Sequence, residues 1–288
     1  MSDQTPPDQR PDYRAVNLAN WESRVPVHAA SELYDIERYK NDPEHLSSTV
    51  EFDVPRLGSI EGLEVVHLQC HMGNDTLSLA RLGACATGLD FSESAIEVAR
   101  QVSADGGPHV DYVVGDVYDA VEILGAARFD LVFTGIGALC WLPDVRRWAA
   151  TVAGLLRPGG ELFIREGHPV LWALDDPRDD GLVVLEHPYF ETEGVHFTDE
   201  DTTYVDHDEP LSAPEIVHFN HGLAEIFNAL WSNGFEITLF EEHDSVPWSA
   251  LGDQMQEIGG GEFRLVDRPD RLPHSYTLRA RLGAAPGV

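Results

Sequence analysis

Between residues 60 and 166, short apolar runs alternate with stretches whose apolar residues recur at helical spacing. The runs are 64–69 (EVVHLQ), 85–90 (CATGLD), 110–114 (VDYVV), 129–134 (FDLVFT) and 161–165 (ELFIR). They have strand length, and β-branched residues recur in them. Between them, Asp75-Thr76 opens a helix that stops at Gly83, and Ser92 opens a second (SESAIEVARQV). A third helical pattern covers 141–156 and ends at Arg157-Pro158-Gly159-Gly160. Strands alternating with helices predict right-handed βαβ units and a parallel sheet. After residue 167 the pattern changes. Segments 182–186 and 202–206 read as strands of an antiparallel insertion, and 220–233 as a helix closed by Gly234. Segments 235–241 and 275–281 read as the last two strands, antiparallel to each other. The organisation expected is α/β: a disordered polar, Pro-rich tail over 1–15, then one domain over 16–288. That domain carries an N-terminal helical lid (16–58) and an inserted substrate lid (170–218).

Ligands of open α/β sheets bind beyond the carboxyl ends of the strands, so the residues that follow each run carry the candidate chemistry. Behind the first run stands Gln69-Cys70-His71-Met72-Gly73-Asn74-Asp75-Thr76, then a helix. Such a turn brings backbone close to a ligand, and the helix N-terminus offers free N–H groups. This is not the G-x-G-x-x-G of dinucleotide enzymes, since only Gly73 is present. Asp90 ends the second run, where a carboxylate suits the two hydroxyls of a ribose; capping the Ser92 helix is its plainer role. Gly115-Asp116-Val117 follows the third run, and Asp116 can accept from an exocyclic amine or serve a turn. The fourth run ends in Thr134-Gly135 and a glycine-containing segment that reaches Trp141.

Composition narrows the partners. Fifty acidic side chains face 19 basic ones, giving a net charge of −31, and Lys40 is the only lysine. That field repels phosphate backbones, so nucleic acid is not an expected partner. No apolar run approaches the ~18 residues of a membrane span, and the N-terminal stretch lacks the basic-then-apolar order of a signal peptide. Cys70, Cys85 and Cys140 are widely spaced beside apolar stretches. Neither a disulfide framework nor a metal site is expected, and a cytoplasmic location fits best.

The series HLQCHMGNDTLSLARLGACATGLDFSESAIEVAR, GDVYD, FDLVFTGIGALCWLPD and LLRPGGELFIREGHP resembles the class I S-adenosylmethionine-dependent methyltransferases, over about residues 17 to 170. It is most similar to a bacterial small-molecule subgroup with a Gln-Cys-His turn. The resemblance implies a seven-stranded, mostly parallel Rossmann-like sheet with an antiparallel last strand. It implies S-adenosylmethionine as cofactor, S-adenosylhomocysteine as product and a small-molecule acceptor methylated on O or N. By the same resemblance Gln69, Cys70 and Gly73 line the amino-acid part of the cofactor, with Asp75 and Thr76 at the helix start. Asp90 holds the ribose, with Phe91 over the adenine and Ser92 beside it. Asp116 and Val117 meet the adenine edge, and Thr134 and Gly135 lie beside the sulfonium. The chain departs from the family at His67, where an acid is usual, and at Gln69 and His71, where glycines are usual.

Methyl transfer from a sulfonium chiefly requires alignment of the nucleophile, and a base helps only a nucleophile that starts protonated. At the end of the fifth strand His168 can take a proton, while Glu166 can order the neighbouring loop or hold a substrate cation. On the lids, Trp21, Tyr34, Tyr39, His187, Tyr189 and His221 are candidates for contact with an aromatic or cationic acceptor; ordinary packing competes for each. The aromatic N-terminal region also offers a surface for a homodimer. Two other classes stand beside this reading: a non-catalytic S-adenosylmethionine-binding protein, motivated by the altered turn, and an NAD-dependent oxidoreductase, opposed by the missing glycine fingerprint. The run Glu242-His243-Asp244-Ser245 is no hydrolase triad, because triad groups converge in space rather than in sequence.

Overall fold

A computed structural model describes residues 12–178, 180–190, 193–198, 203–205 and 210–283. Its centre is a seven-stranded sheet: β1 (Glu64–Leu68), β2 (Cys85–Asp90), β3 (Asp111–Val114), β4 (Phe129–Thr134), β5 (Leu156–Gly167), β8 (Phe235–His243) and β11 (Ser275–Leu282). The spatial order is β3-β2-β1-β4-β5-β11-β8. β1 to β5 pair in parallel, and β11 runs antiparallel between β5 and β8. This is the Rossmann-like sheet that the sequence predicts, antiparallel strand included. The chain leaves β1 toward β2 on one side and returns to β4 on the other. The crevice opens at that reversal, beyond the carboxyl ends of β1 and β4.

Helices cover both faces, which is why the strands read as apolar runs with little polar alternation. On one face Val66, Leu89, Val132 and Leu162 pack with Trp148 and Leu230 from α7 (Val145–Leu155) and α8 (Leu223–Ser232). On the other, Val65, Leu131, Phe133 and Phe163 pack with Val50, Leu57 and Leu79 from α3 (Ser48–Leu57) and α4 (Asn74–Arg81). Each buried large apolar side chain contributes about 1.5–3 kcal/mol. The remaining helices of the layer are α5 (Glu93–Gly106) and α6 (Ala120–Leu124).

The N-terminal region forms α1 (Tyr13–Ala30) and α2 (Ile36–Asn41) ahead of α3. The Asp12 carboxylate accepts from Arg14 N (3.1 Å), so the helix starts inside the segment expected to be tail; residues 1–11 lie outside the described residues. Within the lid expected to be helical, Trp21 and Tyr39 lie on separate helices, and Asp35 between them takes φ 37°. The inserted strands are β6 (Val195–Thr198) and β7 (Glu215–His218), paired antiparallel, rather than 182–186 and 202–206. Leu185 makes only an isolated bridge to Leu174. Leu182 and Leu185 are 58% and 64% exposed, while Val183 packs against the cluster around Leu171 and Val246. Residues 202 and 206 lie outside the described residues. A short hairpin, β9 (Met255–Glu257) with β10 (Phe263–Leu265), completes the chain's strands among the described residues.

Candidate active site

A cavity of about 910 Å³ opens at the carboxyl ends of the parallel strands and runs under α1 and α2. Its floor is the turn after β1. There Gln69, His71 and Gly73 have φ of 56°, 50° and 77°, so every second residue is left-handed. Two of those positions carry side chains, which costs about 1–3 kcal/mol each and persists only where the surroundings over-determine the conformation. They do here: Gln69 Nε2 donates to Ala138 O (2.9 Å), and His71 N donates to Asp90 Oδ2 (2.8 Å). At Gly73 a Cβ would lie 2.5 Å from the Tyr112 hydroxyl, so only glycine fits.

Asp90, at the tip of β2, is 7% exposed and also accepts Ser92 N at Oδ1 (2.9 Å). Ser92 itself caps α5, accepting Ala95 N (3.1 Å). Asp90 is therefore free of the capping task. Burial pushes its pKa up to about 6 against the opposing N–H groups of Ser92, His71 and Phe91. Asp75 is a second acid in the cavity, with its pKa raised by burial. It faces Gly135: a Cβ there would lie 3.3 Å from His67 Nε2 and 3.4 Å from Asp75 Oδ2. His67 is neutral at ordinary pH, since burial drops its pKa to about 3, and its Nδ1 meets Thr76 Oγ1 at 2.9 Å. Asp116 accepts Tyr118 N (2.8 Å) and pairs with Arg14 Nε (2.9 Å), which ties α1 to the end of β3.

The structure thus brings Gln69, Cys70, Gly73, Asp75, Asp90, Phe91, Asp116, Val117 and Gly135 to one cavity. Trp21, Tyr34 and Tyr39 stand on its wall. Thr76, Ser92 and Thr134 are fully buried behind that lining.

Glu166 and His168 also lie outside the lining. The Glu166 carboxylate accepts four backbone N–H groups, from Gly137 (2.7 Å), Ala138 (2.8 Å), Leu139 (2.7 Å) and Gly167 (2.6 Å). It orders the segment after β4 and has little capacity left for a substrate. His168 is 3% exposed; its Nδ1 accepts Val170 N (3.1 Å), and its Nε2 lies 3.1 Å from Glu242 Oε1. His187 packs edge-on against Phe197, and the Tyr189 hydroxyl accepts Leu223 N (3.3 Å). His221 meets Leu142 O at 2.6 Å and Glu225 Oε2 at 3.1 Å. None of these three lines the cavity. The cavity also uses His71, Trp141, Trp172, His218 and Trp248, which were not among the predicted contacts. No periodicity marks them, because each sits in a turn, a single 3-10 turn of helix or at a strand end.

Comparison with known proteins agrees with this geometry. A family model described as a methyltransferase domain matches residues 65–160. A ubiquinone biosynthesis O-methyltransferase from Coxiella burnetii is 34% identical over 127 residues, which is 43% of this chain and 52% of that protein. The chain thus spans about half the length of the curated relatives it matches. Among solved structures, an S-adenosylmethionine-dependent methyltransferase from Listeria monocytogenes superposes with a TM-score of 0.60 at 18% identity, over 82% of this chain and 96% of that one. One from Mesorhizobium loti gives 0.57 at 24%, over 80% and 97%. The fold is that of the Rossmann-like methyltransferases.

Proposed function

We propose that the chain is an S-adenosylmethionine-dependent methyltransferase acting on an oxygen or nitrogen of a small-molecule acceptor, in the group whose first turn reads Gln-Cys-His. The observation that carries this is Asp90: a buried carboxylate at the tip of β2, aimed into the crevice and braced by His71 N and Ser92 N. That is the chemistry a ribose diol requires. The neighbouring residues fit the rest of the cofactor. Asp75 and the left-handed turn suit the cationic amino-acid part, and Phe91 and Asp116 suit the adenine. The cofactor supplies an electrophilic methyl group on sulfur. The protein supplies alignment, with Glu166 fixing the segment beside Gly135 and with residues 16–58 and 170–218 covering the acceptor.

Titration calorimetry tests this. Wild type should bind S-adenosylmethionine and S-adenosylhomocysteine, and Asp90→Asn should weaken both by about 10–100-fold, equivalent to one hydrogen bond to a charged group. Binding should also weaken as pH falls through about 6, where Asp90 gains its proton. A wild type that binds neither form would overturn the reading.

A further inference from the structure

Six rings from six separate segments touch in sequence along one wall of the cavity. His71, from the turn after β1, meets Trp21 of α1 at 4.9 Å between centroids, and Trp21 meets Trp141 at 5.2 Å. Trp141 meets His218, at the end of β7, at 4.5 Å and 78°. His218 meets Trp172 at 6.1 Å, and Trp172 stacks on Trp248 at 5.7 Å and 17°. All six line the cavity. The arc is braced from behind. Phe219 N donates to Cys140 O (2.8 Å), fixing the end of β7 on the segment that bears Trp141. Gly167 admits Trp172, because a Cβ there would lie 2.4 Å from the indole.

Edge-to-face and stacked rings favour a flat π-surface over a saturated one of equal area. Midway along the arc, His218 Nε2 is buried and has no hydrogen-bond partner among the described residues. A buried, unpartnered nitrogen is costly unless a ligand completes it, and burial keeps this imidazole neutral, with a pKa of about 4. Building on the function proposed above, we infer that the acceptor is a planar aromatic hydroxyl compound seated along this arc, with its O–H on His218 Nε2. The acceptor oxygen then forms its bond to the methyl carbon as the carbon–sulfur electron pair returns to sulfur. The hydroxyl proton passes to His218 Nε2 and on to water, leaving the aryl methyl ether and neutral S-adenosylhomocysteine. A weakly basic imidazole suffices, because the oxygen loses nearly all its basicity as the new bond forms.

The test uses the full chain with 1-naphthol and its saturated analogue, decahydro-1-naphthol, as probes. Calorimetry, with and without S-adenosylhomocysteine, should show the aromatic compound binding about tenfold more tightly, and Trp172→Leu should shrink that ratio. Methyl transfer to 1-naphthol should fall about 100-fold in His218→Leu, with S-adenosylhomocysteine affinity unchanged, and recover in part in His218→Gln. Equal binding of the two probes, or full turnover in His218→Leu, overturns the inference. A wild type that ignores S-adenosylhomocysteine defeats the methyltransferase reading instead, and the probe comparison in its absence still decides the acceptor class.

Discussion

On the strand side of the cavity, two buried carboxylates do the organising. Asp90 collects the N–H groups of His71 and Ser92, and Glu166 those of Gly137, Ala138, Leu139 and Gly167. On the lid side the contacts are ring edges, joined by a few bonds from side chains to backbone far away in sequence. Backbone held by charge-assisted hydrogen bonds cannot rearrange without orphaning buried donors. Packed rings can be exchanged for other apolar groups at modest cost. The strand side is thus held rigid, and the lid side can be repacked without disturbing it.

The sharpest way to break that comparison is Glu166→Ala. Four buried N–H groups would lose their acceptor, and stability should fall by about 3 kcal/mol or more, read from chemical denaturation midpoints. A loss below about 1 kcal/mol would mean the segment after β4 does not depend on the carboxylate. Next in size is Asp53→Asn. Asp53, on α3, is fully buried, and neither carboxylate oxygen has a hydrogen-bond partner among the described residues. Desolvation raises its pKa to about 7, with the nearby Arg165 charge opposing. Its folded value lies above the unfolded one. Its stabilising contribution is therefore full below about pH 4 and is lost as pH rises through about 7. Removing the charge should raise stability at pH 8 by about 2 kcal/mol and flatten the dependence between pH 4 and 7. Unchanged pH dependence in the variant would show that Asp53 is solvated. Smallest is His71→Gly. It relieves a left-handed side chain but frees the unfolded chain, so stability should move by less than about 1 kcal/mol. Thermal melts read this effect; a large loss would mean the His71 ring contributes to the fold as well as to the cavity.

The strand side was also the legible side. Runs such as FDLVFT and ELFIR name their strands because both faces of a parallel sheet are buried. Asp90 and Gly73 follow from their place at strand ends. Even the family departures carry structural information, since Gln69 and His71 keep the left-handed backbone that glycine would take. The lid resisted for a physical reason. Residues 182–186 form a strand-length apolar run but join no sheet, whereas Glu215–His218 gains its ladder from Val195–Thr198. His168 and Glu166 stand at the right strand end, yet their side chains turn into backbone and packing rather than outward. Trp141, Trp172 and His218 meet only through tertiary contacts spanning tens of residues, which no local pattern records.

Asn17 carries a consequence for how the molecule comes into being. Its buried amide donates to Val217 O (2.9 Å) and accepts Val217 N (2.8 Å), imitating a neighbouring strand along the edge of β7 across 200 residues of sequence. A ribosome adding about 5–20 residues per second exposes Asn17 roughly 10–40 s before its partner exists. During that interval the sheet strands β1 to β5 can assemble from local crossovers, while the first helix waits with an unpaired amide. The roof over the crevice therefore closes only after β7 has been made, using a segment synthesised some 200 residues earlier.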